Sequence, residues 1–289
     1  MPTDLTGDPT WLGDLALNVI DDAGVEWIVT ANDGWVGTPG TTQQLVQRQA
    51  DHGGWPGTSY FTPRALPLAV TINAPSEALR DQAIAALKAA AALTATPMRV
   101  KDGFDRTASV LRQGETLVNR FGNVAEVSLS LIAPDPRLYS TTQHTGLCNL
   151  PAIVGGLVFP ITFPITFTGS VSSGAIPVSN QGNIDSPPLL RITGPVVTPV
   201  VTLQRSDGTV QQLTYQGSLG ALDYLDLDCG PRRTAILNAT ASRRGLLTVT
   251  GGWPQIPPDT DGVSSTLFFN AASSSGTPAL AASWNDAWE

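Results

Sequence analysis

The residues able to do chemistry are few and scattered. His52 and His144 are the only histidines, so a metal site or a Ser-His-Asp arrangement has one imidazole to work with at a time. Neither has neighbours of the type such a site needs, and GxSxG, HExxH, CxxC and P-loop spacings do not occur. Asp226 and Asp228 alternate onto one face of an expected strand beside Asp223. Asp259-Thr260-Asp261-Gly262 begins like a calcium loop but has no acid at the later ligand positions. Trp253, Trp284 and Trp288 could stack on sugar rings, against the commoner use of a strand-end tryptophan as a buried anchor. This pattern names no catalytic residue, no metal ligand and no cofactor site. It points away from an enzyme and toward a structural protein, with a carbohydrate-binding module as the alternative and a carboxylate-only glycosidase as a third class.

Charge narrows the partners. The formal net charge is −8, and Asp4, Asp8, Asp14, Asp21, Asp22, Glu26 and Asp33 all precede Arg48, the first basic residue. Such a segment disfavours a phosphate backbone, so no specific nucleic-acid binding is expected. Leu150 to Phe167 is apolar, but its prolines and glycines prevent a helix that satisfies its own backbone in lipid, so no membrane insertion is expected. The start, MPTDLTGDPTWLG, lacks a basic n-region and an apolar h-region; the reading is assembly in a cytoplasm, with Cys148 and Cys229 as reduced thiols. Charged residues make up only 14% of the chain, which suits a subunit that hides much of its surface in an assembly.

The elements that position these residues divide at Phe159-Pro160-Ile161-Thr162-Phe163-Pro164-Ile165-Thr166-Phe167, a repeated FPIT tetrapeptide. In an extended chain Phe159, Ile161, Phe163, Ile165 and Phe167 share one face, and that apolar face is expected to dock between domains. The prolines suit an edge strand or a docked arm and exclude a helix. The expected organisation is an N-terminal domain over 1–145, an uncharged Pro/Gly/Ser-rich connector over 146–183 with a hinge at Gly169 to Gly182, and a C-terminal domain over 184–289.

In the first part, Asp21-Asp22-Ala23-Gly24 reads as a hairpin turn between Leu15–Ile20 and Val25–Thr30. Leu45 to Gln49 reads as a brief strand ending at the glycine-rich loop 51–57. Ala65 to Ile72 is an expected strand. A helix follows from Ser76 to about Leu93, with Leu79, Ala83, Leu87 and Ala90 on its packed stripe and Arg80 off it. Met98 to Lys101, Ala108 to Arg112 and Val124 to Ile132 read as strands. The last puts Val127, Leu129 and Leu131 on one face, and as a strand with an unprotected edge it is the expected contact between subunits. Past the hinge, short strands between Pro187 and Trp284, with a hairpin turn at Ser206-Asp207-Gly208, imply two stacked antiparallel sheets. The fold class is mainly β, with one packed helix in the first domain.

The order strand, helix, strand, strand closed by Ala133-Pro134-Asp135-Pro136-Arg137-Leu138-Tyr139-Ser140, followed by FPITFPITF, resembles the N-terminal belt domain of distal tail proteins of long-tailed, non-contractile bacteriophages, particularly minor tail proteins of phages of actinobacteria. Pro188 to Gly194, Leu225-Asp226-Leu227-Asp228, Trp253 and Trp284 to Trp288 resemble the same family's galectin-like β-sandwich. The loop Ile256 to Gly262 departs from the shorter turn of that pattern. The resemblance implies a homohexameric ring at the virion tail tip. It would join the tail tube protein to the tail hub, with sandwiches that carry other minor tail or receptor-binding proteins. DNA would pass through the lumen, and the acidic segment before Arg48, if it lined the channel, would repel it.

Overall fold

The strands Arg64–Asn73 and Val124–Ala133 pair antiparallel over their full length, from Val124 opposite Asn73 to Ala133 opposite Arg64. Alternate residues of both strands are buried, as the period-2 pattern of Val127, Leu129 and Leu131 requires. The computed structural model describes residues 3–5, 7–154, 170–259 and 264–289. The chain is mainly β, and it divides into two compact units: Met1–Thr141 with Trp288–Glu289, and Thr142–Ala287.

In the first unit the helix Glu77–Ala90 lies against this strand pair. Its start is set by Ser76, whose hydroxyl oxygen accepts from the backbone N–H of Leu79 at 3.3 Å, with Glu77 in the first turn and Lys88 in the last. Ala83, Ile84 and Leu87 are buried, as the stripe predicts. Arg80 is buried as well, contrary to expectation: its guanidinium leaves the stripe to donate to the Gly122 carbonyl and to Asp81, so the head is paired while the stem packs.

Val124–Ala133 has no free edge. Arg64–Asn73 lies on one side; Leu117–Phe121 and the end of Asp105–Arg112 occupy the other. Val127, Leu129 and Leu131 are buried in the unit's own core with Leu66, Leu68 and Leu87. This corrects the expected ring contact: these side chains already face the helix and sheet interior and have nothing left to offer a neighbour. The strand Glu26–Ala31 continues the sheet beyond Arg64–Asn73, and the turn before it is closed by Asp21, whose Oδ1 accepts from the N–H groups of Ala23 and Val25 at 2.9 Å each.

The second unit is an antiparallel sandwich. One sheet orders Ala279–Trp288, Leu189–Thr193, Tyr224–Asp228, Thr234–Leu237 and Ala241–Ser242; the other orders Ala175–Val178, Ser265–Ser274, Val196–Gln204, Val210–Tyr215 and Leu247–Thr250. Leu190, Ile192, Leu225 and Leu227 from the first meet Val201, Leu203, Leu267 and Phe269 from the second in a closed apolar core. Parts of the expected connector are strands, among them the end of Leu138–Asn149, and Ala175–Val178 inside the expected hinge, which pairs with Ser265–Ser274. Phe159, Ile161, Phe163, Ile165 and Phe167, expected to dock between domains, lie outside the described residues.

Candidate functional site

A hairpin that the sequence reading half found stands uncovered in the first unit. Thr41–Gln47 pairs with Gly54–Phe61 and, among the described residues, with no other strand. Val46 lies opposite Trp55 and Leu45 opposite Pro56; because neighbouring residues of a strand point to opposite faces, apolar pairs project from both sides of the ribbon. Leu45, Val46, Trp55 and Tyr60 are 67%, 64%, 62% and 68% exposed. The Arg48 guanidinium covers one face of the Trp55 ring at 4.4 Å. Gly54-Trp55-Pro56-Gly57 read as loop because glycine and proline rarely occupy strand interiors. The signal that could have found the second strand is Tyr60-Phe61 facing Thr41-Thr42 across a loop of fixed length.

The root of this hairpin is tied to the core by Arg64, which is 1% exposed. Its Nε donates to the Pro136 carbonyl at 2.9 Å, and its Nη1 donates to Gly34 at 3.0 Å and Gly37 at 2.6 Å. Burial lowers its pKa from the ordinary arginine value, with the Arg106 charge acting in the same direction. Gly34 is obligatory for a steric reason: a Cβ there would stand 2.2 Å from the Ala65 carbonyl oxygen. The turn that supplies Pro136 is itself fixed by Asp135, which accepts from the Arg137 N–H at 3.2 Å and from the Tyr139 hydroxyl at 2.7 Å. The APDPRLYS stretch therefore does structural work at the hairpin root, a role its sequence did not reveal.

The residues singled out for chemistry are dispersed. His52 is exposed in the hairpin loop. His144 places Nε2 3.1 Å from Asp286 Oδ2 and stacks on Trp284 with ring centroids 5.5 Å apart, while Asp286 Oδ1 accepts from the Gln181 N–H. Asp228 accepts from the Gly230 N–H at 2.8 Å. Asp223 accepts from Asn238 Nδ2 at 2.7 Å and from the Gly220 N–H, and these bonds hold its carboxyl below the usual range. Among the described residues no group of three or more His, Cys, Asp or Glu could hold a metal ion. Asp259 accepts from the Asn180 N–H, and Thr260 to Gly262 lie outside the described residues.

Trp253 and Trp284 are buried and so cannot stack on a sugar. Trp284 donates from Nε1 to the Ser179 carbonyl at 2.6 Å, and Arg244 lies over Trp253. Trp288 packs in the first unit, tilted against Phe104 at 5.5 Å. Burial pushes the Cys148 thiol up to about 11 and the buried Cys229 thiol higher still, which leaves neither reactive near neutral pH. No helix among the described residues is long and apolar enough to cross a membrane.

A groove of about 530 Å³ lies on the solvent side of the first sandwich sheet. Ala281 and Ser283 line it along with Leu147, Leu189 and the Arg191–Asp226 pair. Arg191 donates from Nε and Nη2 to the two carboxylate oxygens of Asp226 at 2.6 and 2.9 Å, and its other face rests on Tyr224 at 4.5 Å.

No protein-family model matches the sequence, and no match to a curated protein was found. Among solved structures, the chain is similar to the SPP1 Dit (gp 19.1) protein, described as a paradigm of the hub adsorption apparatus in phages infecting Gram-positive bacteria. The TM-score is 0.66 at 14% identity over 98% of this chain and 100% of that one. Chains of the phage P2 baseplate in its activated conformation with calcium and with strontium align with TM-scores of 0.45 and 0.46, each at 11% identity over 96% of this chain and 97% of theirs. This chain therefore has the fold of the SPP1 Dit protein along nearly its whole length.

Proposed function

We propose that this chain is a distal tail protein, a non-enzymatic structural subunit that closes into a ring at the tip of a phage tail. The observation that carries the reading is the fold similarity to SPP1 Dit, which spans 98% of this chain and all of the other. It leaves neither protein with a domain foreign to the other.

The hairpin supports the ring. A two-stranded ribbon with no third strand is marginal on its own in water, and apolar side chains exposed on both of its faces favour cover by another molecule. The strand Leu117–Phe121 pairs only with Val124–Ala133 among the described strands and carries exposed Leu117 and Phe121. In the proposal, each subunit's hairpin lies against that edge on the next subunit. This heterologous contact closes when the rotation returns to its start, in a hexamer. The tail tube protein and the tail hub would meet the two sides of the ring, and the sandwiches would carry other tip proteins. Assembly would occur in the host cytoplasm, the final location being the virion tail tip. The three-part division at 145 and 184 belongs to the same proposal, and limited proteolysis that leaves a single resistant core would overturn it.

Mass photometry and negative-stain electron microscopy of the purified chain test the assembly. A closed six-membered ring is expected. A chain that stays monomeric at high concentration, alone and mixed with tube protein, would overturn the reading.

A further inference from the structure

The groove on the sandwich is built from three neighbouring strands in register. Ala281 lies opposite Arg191, and Arg191 opposite Asp226; one step along, Ser283 lies opposite Leu189. Residues two apart share a face, so the strand Ala279–Trp288 contributes a floor of small side chains. Leu147 and Leu189, 71% and 51% exposed, stand beside it as apolar walls. At one end the Arg191 and Asp226 side chains remain 53% and 27% exposed although each satisfies the other.

This end determines the ligand's chemistry. With Nε and Nη2 committed to Asp226, Nη1 of Arg191 makes no hydrogen bond among the described residues, and each Asp226 oxygen keeps a lone pair free. The pair offers donors and acceptors side by side with no net charge. An anionic ligand meets the carboxylate and a cationic one meets the guanidinium. A hydroxyl both donates and accepts, and adjacent hydroxyls match a bidentate pair. The Leu147 and Leu189 walls then suit the C–H face of the same molecule. A concave site with apolar walls and few convergent polar groups is the ordinary form of a small-ligand pocket.

We infer that this groove is a binding site for a neutral saccharide, held through adjacent hydroxyls by Arg191 and Asp226. The site is independent of the buried tryptophans, and it does not depend on ring formation, which is read separately on the same samples.

The test uses the full chain on an array of neutral, acidic and amino saccharides, followed by calorimetry. Neutral saccharides should bind. Ala281→Trp, which fills the floor, and Arg191→Ala, which removes the donors, should each weaken binding about tenfold or more. Circular dichroism confirms that the variants are folded. If Ala281→Trp fails to fold, Arg191→Ala carries the test alone, since an exposed ion pair contributes little to stability. No binding of neutral saccharides at millimolar concentration, a preference for charged ones, undiminished binding by a folded variant, or capture of a peptide in place of sugar would each overturn the inference.

Discussion

The pair Arg64–Asn73 with Val124–Ala133 and the hairpin Thr41–Gln47 with Gly54–Phe61 use the same antiparallel ladder and differ in what lies beneath it. In the first, every second residue enters a core roofed by the helix. In the second, nearly every residue of both strands is exposed. Burying one Leu or Val side chain is worth roughly 1.5–3 kcal/mol, so the core pair gains that several times over and the hairpin gains almost none. Pairing sets geometry in both regions; burial sets stability in only one. In the proposed ring, that exposed apolar surface is what the hairpin offers to the next subunit.

The largest test of this contrast is Leu129→Lys. A lysine there places a charge among Leu66, Leu68 and Leu87 without a partner, a cost of at least about 4 kcal/mol. The variant is expected to lose its cooperative thermal transition. A folded Leu129→Lys protein that has lost only its ring would restore that strand as the subunit contact. Next in size, Arg64→Met removes the donor from three carbonyls at the hairpin root and should cost about 2–4 kcal/mol in a urea titration. A negligible change would mean the root is held some other way.

The hairpin itself should respond in the opposite sense. Trp55→Ser with Tyr60→Ser should leave monomer stability within about 0.5 kcal/mol, because both side chains are exposed, while ring assembly fails on mass photometry. A large loss of stability would show that the ribbon is packed within its own subunit. The smallest expected effect concerns pH. Hydrogen bonding from Arg99 holds the Asp105 carboxyl below its usual range. A depressed carboxylate stabilises the fold while ionised and ceases to do so as pH falls through its folded value. The contribution is therefore complete above about pH 4 and lost below it. Asp105→Asn, whose side chain resembles the protonated acid, should lower the neutral plateau of the stability profile slightly and leave its acid end unchanged, which flattens the limb between them.

Legibility in the sequence followed the same line between buried and exposed. Val124–Ala133 and the helix were readable because burial imposes a period on Val127, Leu129 and Leu131 and on Ala83 and Leu87. The sandwich strands were readable for the same reason, with turns such as Ser206-Asp207-Gly208 between them. Gly54–Phe61 was not, since a ribbon with no buried face has no period to display. Edge and interior also cannot be told apart by one strand's own pattern: Val124–Ala133 looked like a contact surface until its neighbours on both sides were known. Arg64 gave no signal because its carbonyl partners at Gly34, Gly37 and Pro136 are close only in the folded chain. The groove assembles Leu147, Arg191, Asp226 and Ala281 from four distant stretches and was illegible for the same reason.

The Arg64 tie also has a consequence in time. Two of its acceptors, Gly34 and Gly37, precede it in the chain, but the third, Pro136, lies 72 residues downstream. A ribosome that has released the hairpin has not yet supplied the group that completes its root. Long-range closures come late in folding because loop entropy must be met first. The ribbon is therefore fixed in direction only after the helix and the strand Val124–Ala133 have emerged and packed, so that, in the proposed ring, a nascent chain would present no finished contact to its neighbours. Pulse-labelled hydrogen exchange during refolding reads this order directly: protection at Gly37 and Thr62 should follow protection at Leu68 and Val127, and the reverse order would remove the delay.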